Sequence, residues 1–309
     1  MHVPVLLNEV LAFLDVKNKQ KFIDGTAGNG GHLLAIAAQA RKAKVMGIDL
    51  DQASLDDLQL EVVRKGLSQR IQLVQGSYKD IDQIASEAKF GPVDGILLDL
   101  GFSSFQLDDT GRGFSFQSDG PLDMRYDLKN RLTAERVVNT YHQKELEQVF
   151  VRYGEEKFAR RIAAAIIAKR KESLIKTTKQ LAEIIRQALP VSVRFKANDS
   201  IRRVFQAIRI EVNHELDNLK EFLPKAINLL NSKGRLAIIS FHSLEDRIVK
   251  EFFNQQTRDC VCPPEFPTCV CDKISTVKIL TRKPVTAGSE EISVNPKSKP
   301  AKMRAIEKI

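Results

Sequence analysis

The chain has 309 residues, 43% hydrophobic and 28% charged, values that exclude wholesale disorder, collagen-like and low-complexity sequence and suit about two packed domains. Its formal net charge of +9 is uneven: Lys+Arg against Asp+Glu is 12 to 17 over residues 1–124, 20 to 10 over 125–211 and 16 to 12 over 212–309. An acidic first third and a basic middle fit one unit holding a small, partly cationic ligand and another gripping a polyanion, nucleic acid before others; a solvated basic helix face is the plainer alternative.

The N-terminus, Met1-His2-Val3-Pro4, lacks the basic start, apolar centre and small-residue cleavage site of a secretory signal, and no stretch of about 18 apolar residues follows. The expectation is a cytosolic protein with no membrane partner. Residues 21–99 alternate short apolar runs with amphipathic stretches, the pattern of a parallel sheet with crossover helices. Strands are predicted at Lys21–Asp24, Lys44–Asp49, Ile71–Gln75 and Val93–Asp99; between them Leu33, Ile36 and Ala37, then Leu55, Leu58 and Val62, recur at helical spacing. The fold class expected is α/β, a doubly wound sheet.

Residues 101–125 are rich in Gly, Ser, Asp and Phe without helical period, a long loop of the kind that carries function. Basic helical sequence follows, with apolar stripes such as Phe158, Ile162, Ile166 and Leu181, Ile184, Ile185, and with Arg152, Arg160, Arg161, Lys169, Arg170 and Lys171 supplying charge. This reads as a helical domain, residues 126–211, inserted between two parts of the α/β domain, 1–125 and 212–309. The second part is predicted to contain a helix over Leu216–Leu230, a turn at Asn231-Ser232-Lys233-Gly234, a strand at Leu236–Ile239, a helix over Leu244–Phe253, a strand near Val277–Leu280 and a last apolar segment Met303–Ile309. All four cysteines lie in one stretch, Cys260-Val261-Cys262 and Cys269-Val270-Cys271, among Pro263, Pro264 and Pro267. Two readings stand: paired thiolates that hold zinc, or reduced thiols in a Pro-rich loop.

The chemistry concentrates at strand ends. The first strand runs into Asp24-Gly25-Thr26-Ala27-Gly28-Asn29-Gly30-Gly31-His32, glycines where backbone approaches a ligand and turns sharply, and the second ends in Asp49, placed to accept from both hydroxyls of a ribose. Together they indicate an adenosine-containing cofactor. Asp24 would repel a dinucleotide's pyrophosphate but suits the ammonium and sulfonium of S-adenosylmethionine, and the spacing Gly-x-x-Gly-x-Gly reverses the dinucleotide fingerprint. The plain alternative makes Asp24 a helix cap and Asp49 a surface acid. The fourth strand brings Asp99 to the same end of the sheet.

The run Leu97-Leu98-Asp99-Leu100-Gly101-Phe102-Ser103-Ser104-Phe105-Gln106, with Arg112-Gly113-Phe114-Ser115-Phe116 and Asp119-Gly120-Pro121-Leu122-Asp123-Met124-Arg125, resembles the bacterial 16S ribosomal RNA cytosine-N4 methyltransferases. So do His2-Val3-Pro4-Val5-Leu6-Leu7, Tyr153-Gly154-Glu155-Glu156-Lys157-Phe158-Ala159, Phe205-Gln206-Ala207 and Ser240-Phe241-His242-Ser243-Leu244-Glu245-Asp246-Arg247, in one order over nearly the whole chain. The resemblance implies a class I methyltransferase, mostly parallel with an antiparallel C-terminal strand and an inserted helical domain, which uses S-adenosylmethionine on a decoding-region cytidine of 16S RNA. The partner it implies is that RNA, or the small ribosomal subunit. It carries cofactor contacts onto Gly30, Gly31, His32, Asp49, Tyr78, Asp99 and Gln106. Departures occur at Asn198-Asp199-Ser200-Ile201, where related sequences have His-Pro-Ala-Thr, and at Lys297 and Lys299, where Arg is usual, a change that removes the guanidinium fork.

Methylating a cytosine amine needs an acceptor for its N–H and a base held in line. Asp99-Leu100-Gly101-Phe102 resembles the acid-Pro-Pro-aromatic motif of other exocyclic-amine methyltransferases without its prolines. Asp99 is therefore expected to position cofactor or amine, with Phe102 and Ser103 meeting the base; helix capping by Ser103 and Ser104 is the alternative. Substrate contacts are expected from Arg112, Arg125, Arg160, Arg161, Arg202 and Arg203. The competing functions are a non-catalytic ribosome-assembly protein with bound cofactor, a dinucleotide-dependent oxidoreductase disfavoured by Asp24, and a DNA methyltransferase. The sequence carries no signal of oligomeric state.

Overall fold

The computed structural model describes residues 4–101, 110–260, 262, 270–271 and 273–309. They form two compact units, Met1–Gly101 with Leu216–Ile309, and Phe102–Glu215.

In the first unit the strands β1 (Lys21–Asp24), β2 (Lys44–Asp49), β3 (Ile71–Gln75) and β4 (Val93–Asp99) begin and end where the apolar runs do. Helix α1 (Leu7–Phe13) precedes them, and α2 (Gly31–Gln39), α3 (Gln52–Arg64) and α4 (Ile81–Glu87) are the crossovers. The second part adds α10 (Glu215–Leu229), β5 (Leu230–Ser240), α11 (Ser243–Gln256), β6 (Val277–Ile279), α12 (Ser289–Val294) and β7 (Lys302–Lys308). Among the described residues the sheet has the order β3-β2-β1-β4-β5-β7-β6, parallel from β3 to β5 and antiparallel at β7 and β6.

Period-2 alternation divides the side chains between two cores, because successive strand residues point to opposite faces. Phe22, Val45, Leu97, Ala237 and Met303 pack with Val10, Leu33, Ile36 and Leu58 on one face. Ile23, Met46, Leu98, Ile238 and Ile306 pack with Ile81, Leu219, Phe222 and Phe253 on the other. The strand order reverses between β1 and β4, so their carboxyl ends open the crevice where ligands bind in doubly wound sheets.

The predicted turn Asn231–Gly234 falls inside β5. Val93 pairs with Leu230 but Gly95 with Arg235, so the intervening residues bulge outward, Lys233 taking a φ of 62°. Asn231 Nδ2 fastens the bulge by donating to Asp94 Oδ1 at 2.8 Å.

The second unit holds α5 (Ala134–Thr140), α6 (Gln143–Gly154), α7 (Ala159–Arg170), α8 (Thr178–Ala188) and α9 (Ala197–Asn213). Thr133 caps α5, and Thr177 and Gln180 form a reciprocal capping box on α8. Helix α9 packs on α6 and α8, burying Ile201, Val204, Phe205 and Ile208. The segment 110–125, read from sequence as the end of the α/β domain, belongs by its contacts to this helical unit, as does 126–133, which the sequence already assigns to it. Thr178 donates through N to Gly120 O and through Oγ1 to Ser118 O, Leu122 N donates to Lys176 O, and Phe116 meets Phe205 edge-on at 5.6 Å. Gly113, at φ +69°, lies so close to Pro121 O that a Cβ would stand 2.0 Å from it. Asn213 ties the two ends of the unit together: Nδ2 donates to Met124 O and Oδ1 accepts from Tyr126 N, both at 2.7 Å. No described helix is long and apolar enough to cross a membrane.

Candidate functional site

Asp24, Asp49 and Asp99 are the last residues of β1, β2 and β4, so the parallel register gathers the three predicted carboxylates at one end of the sheet. The glycine loop links them through backbone. Thr26 N donates to Asp24 Oδ1 at 3.1 Å, Asp99 N donates to Thr26 Oγ1 at 2.7 Å, and Asp49 accepts from Gly28 N at 2.7 Å and Asp51 N at 2.9 Å. Gly30 caps α2 at φ +79°, and a Cβ there would stand 2.2 Å from Leu58 Cδ1, so both conformation and space require glycine. Gly31 begins α2 and His32 follows it.

Burial sets the charge state. Asp24 is 1% exposed, and desolvation pushes its carboxyl up to about 6, against the opposing pull of His32 and the Thr26 N–H. Desolvation likewise raises Asp49 above the usual carboxylate range. For His32 burial disfavours the charged ring, but Asp99, Asp24 and Glu291 outweigh it and hold the imidazole above its ordinary value. His32 Nε2 lies 3.5 Å from Asp99 Oδ2, a charge contact and not an aligned hydrogen bond. Among the described residues both His32 nitrogens and Asp99 Oδ1 are buried without a hydrogen-bond partner, which a native site tolerates where a ligand completes the set. Tyr78, directly after β3, packs edge-on against Phe222 at 5.6 Å, and its Cβ lies where a side chain on Gly25 would reach.

This donor and acceptor set fits S-adenosylmethionine. Three carboxylates suit a ligand that carries an ammonium, a sulfonium and ribose hydroxyls, and the positive-φ glycine leaves room for backbone to pass close to it. Phe102, Ser103 and Gln106, expected beside Asp99, lie outside the described residues. Two participants were not read from the sequence. Thr26 had only its place among the glycines to mark it. Glu291, which also accepts from Leu6 N at 2.8 Å, acts across 285 positions with no local signal.

The basic residues of the helical unit divide into two groups. Lys157, Arg160 and Arg161, with Gln143, Phe158 and Ala164, line a groove of about 430 Å³; the two arginines have no ion-pair partner among the described residues. Arg202 is 69% exposed and only 3.4 Å from Asp199. By contrast Arg203 is bound to the buried carboxylate of Glu156 at 2.7 Å. Arg125 forks onto Asp123 at 2.8 and 2.7 Å and reaches Leu128 O and Asn130 O, and Arg112 donates to Arg125 O and Tyr126 O. These three arginines, expected at the substrate, are engaged in holding the 110–130 loop and the α6–α9 contact. The turn Val191–Lys196 presents Phe195, 80% exposed beneath Lys196 Nζ at 5.3 Å, a stacking surface among cations that periodicity alone does not reveal.

All of the chain, residues 1–309, matches the MraW methylase family. Proteins named ribosomal RNA small subunit methyltransferase H are similar to it end to end. That of Carboxydothermus hydrogenoformans is 45% identical over 308 residues, covering 100% of this chain and 98% of the relative. That of Syntrophotalea carbinolica is 45% identical over 309 residues, with the same coverage, and that of Heliobacterium mobile 42% over 310, covering 100% and 99%.

Proposed function

Because the chain belongs to the MraW methylase family, we propose that it transfers a methyl group from S-adenosylmethionine to the N4 amine of one cytidine in the decoding region of 16S ribosomal RNA, in the cytoplasm. The observation that carries this reading is the trio of strand-end carboxylates with an unpartnered, buried Asp99 Oδ1. An exocyclic amine shares its lone pair with the ring, so its attack needs an acceptor that holds the N–H and turns the lone pair toward the electrophile.

S-adenosylmethionine, when bound, supplies an electrophilic methyl group on a sulfonium. Asp49, whose oxygens each accept one backbone N–H and retain a second lone pair, holds the ribose hydroxyls. Asp24 faces the cationic amino-acid end, where ionisation of its raised carboxyl is compensated. Asp99 Oδ1 accepts from the amine, and His32 beside Oδ2 fixes the carboxylate's orientation. Phe102 and Ser103, the residues expected at the cytosine, lie outside the described residues. The exposed cations of the helical unit, Arg160, Arg161 and Arg202, track phosphates, which position an RNA without reading its sequence.

Incubating the protein with methyl-labelled S-adenosylmethionine and small ribosomal subunits, naked 16S RNA or DNA, then mapping the labelled base, tests this reading. Label on N4 of a single decoding-region cytidine is expected. Label on a ring carbon, on DNA alone, or nowhere would overturn it, the last outcome favouring a non-catalytic assembly role.

A further inference from the structure

Among the described residues the loop between α11 and β6 has no apolar core. From Thr257 to Thr276 no described residue is buried, and Val270 and Ile274 are 66% and 78% exposed. Its base is tied by hydrogen bonds and not by apolar packing, Thr276 N donating to Gln256 O at 3.1 Å, Ser275 N to Asp259 Oδ1 at 3.0 Å and Thr276 Oγ1 to Gln256 Oε1 at 3.1 Å. Beyond that base the sulfur atoms of Cys260, Cys262 and Cys271 converge, all within 4.8 Å of one another, with Cys260 and Cys271 3.9 Å apart.

That spacing has a specific chemical meaning. Zinc holds thiolate sulfur at about 2.3 Å in tetrahedral geometry, which puts neighbouring sulfurs about 3.8 Å apart. The backbone is arranged for thiolate charge as well: Cys262 N points to Cys260 Sγ and Val270 N to Cys262 Sγ, both at 3.4 Å. Amide donors to sulfur favour the ionised form that binds metal. Arg258 and Lys273 lie in the same stretch and offset the excess charge of three thiolates on a divalent ion.

We propose that Cys260, Cys262 and Cys271 bind one zinc ion, a structural site that holds the α11–β6 loop where hydrophobic burial does not. The ion supplies to this segment the folding free energy that a core supplies elsewhere. Cys269 repeats the Cys-x-Cys pattern but lies outside the described residues, and the site stands on the three sulfurs that are described.

Elemental analysis of the full chain, purified under reducing conditions without chelator, is expected to find about one zinc per chain. The triple variant Cys260→Ser/Cys262→Ser/Cys271→Ser is expected to contain none. Cobalt added to chelated protein should produce thiolate-to-metal charge-transfer absorption, absent in the variant. Chelation should speed hydrogen exchange of residues 257–276 while the amides of β1, β2 and β4 stay protected. Zinc-free wild-type protein that also gives no cobalt signal would overturn the proposal, as would zinc retained by the triple variant, or iron in place of zinc.

Discussion

At the scale of single residues, the folded chain holds Asp24 at a free-energy cost that only a cation relieves. Its carboxyl ordinarily titrates at 3.8 and here at about 6, so the native state binds a proton more tightly than the unfolded one. Stability from this residue is fully present below pH 3.8 and is lost as pH rises through about 6, a decline of about 3 kcal/mol. His32, also raised, acts in the same sense at higher pH. Between pH 5 and pH 7, where part of the loss has already occurred, urea unfolding of the cofactor-free protein is expected to show about 1.3 kcal/mol of this decline, and Asp24→Asn to remove most of that; equal declines in both proteins would remove Asp24 as the cause. A cationic ligand reverses the balance by favouring the carboxylate, so S-adenosylmethionine should expel protons on binding and bind more tightly as pH rises through about 6, as calorimetry in buffers of different ionisation enthalpy would detect. Asp99→Asn keeps shape but loses the charged acceptor. Single-turnover methylation at saturating cofactor should fall on the order of a hundredfold, each 1.4 kcal/mol of barrier being about tenfold, with RNA affinity unchanged. A near-wild-type rate would take Asp99 out of the chemistry.

At the scale of elements, residues alike in sequence separate by what their helices do with them. Arg160 and Arg161 project from α7 into an open groove, so replacing both by Ala should lower the magnitude of the slope of log affinity for RNA against log salt by about 0.7 to 0.9 per lost contact and leave melting unchanged. Arg203 on α9 pairs with Glu156, whose side chain is fully buried, and Arg203→Ala strands that carboxylate, at about 3 kcal/mol of stability. Melting curves and salt titrations on the two variants should give opposite patterns. The division was invisible in the chain of letters, where charge density alone marks all three arginines. Strand limits were legible for the converse reason: a parallel strand buried on both faces is a continuous apolar run, and β1, β2 and β4 each end at a carboxylate of the candidate site. The start of β5 was not, since Asn231-Ser232-Lys233-Gly234 has turn chemistry and does turn, as a bulge between paired residues. The carboxylates of the site were legible because each closes a strand, whereas Thr26 and Glu291 owe their places to tertiary packing.

At the scale of the whole molecule, the sheet is assembled from two stretches of chain, and β4 and β5, hydrogen-bonded neighbours, are separated by about 130 residues. The order of the strands and the antiparallel β7 between β5 and β6 agree with the sequence-based expectation of a doubly wound fold because each crossover is short except this one. The clasp that Asn213 makes on Met124 and Tyr126 therefore bears on how fast the protein folds. If the helical unit forms first, the clasp removes the residues between 126 and 213 from the loop that β4 and β5 must close, lowering the closure entropy by about 1 kcal/mol, about fivefold in rate. In stopped-flow refolding Asn213→Ala is expected to slow formation of the sheet by that factor while unfolding is little changed. Faster unfolding at an unaltered folding rate would mean the clasp closes last. A side-chain amide in a helical insert would thus act as a timer for a sheet in which it takes no part.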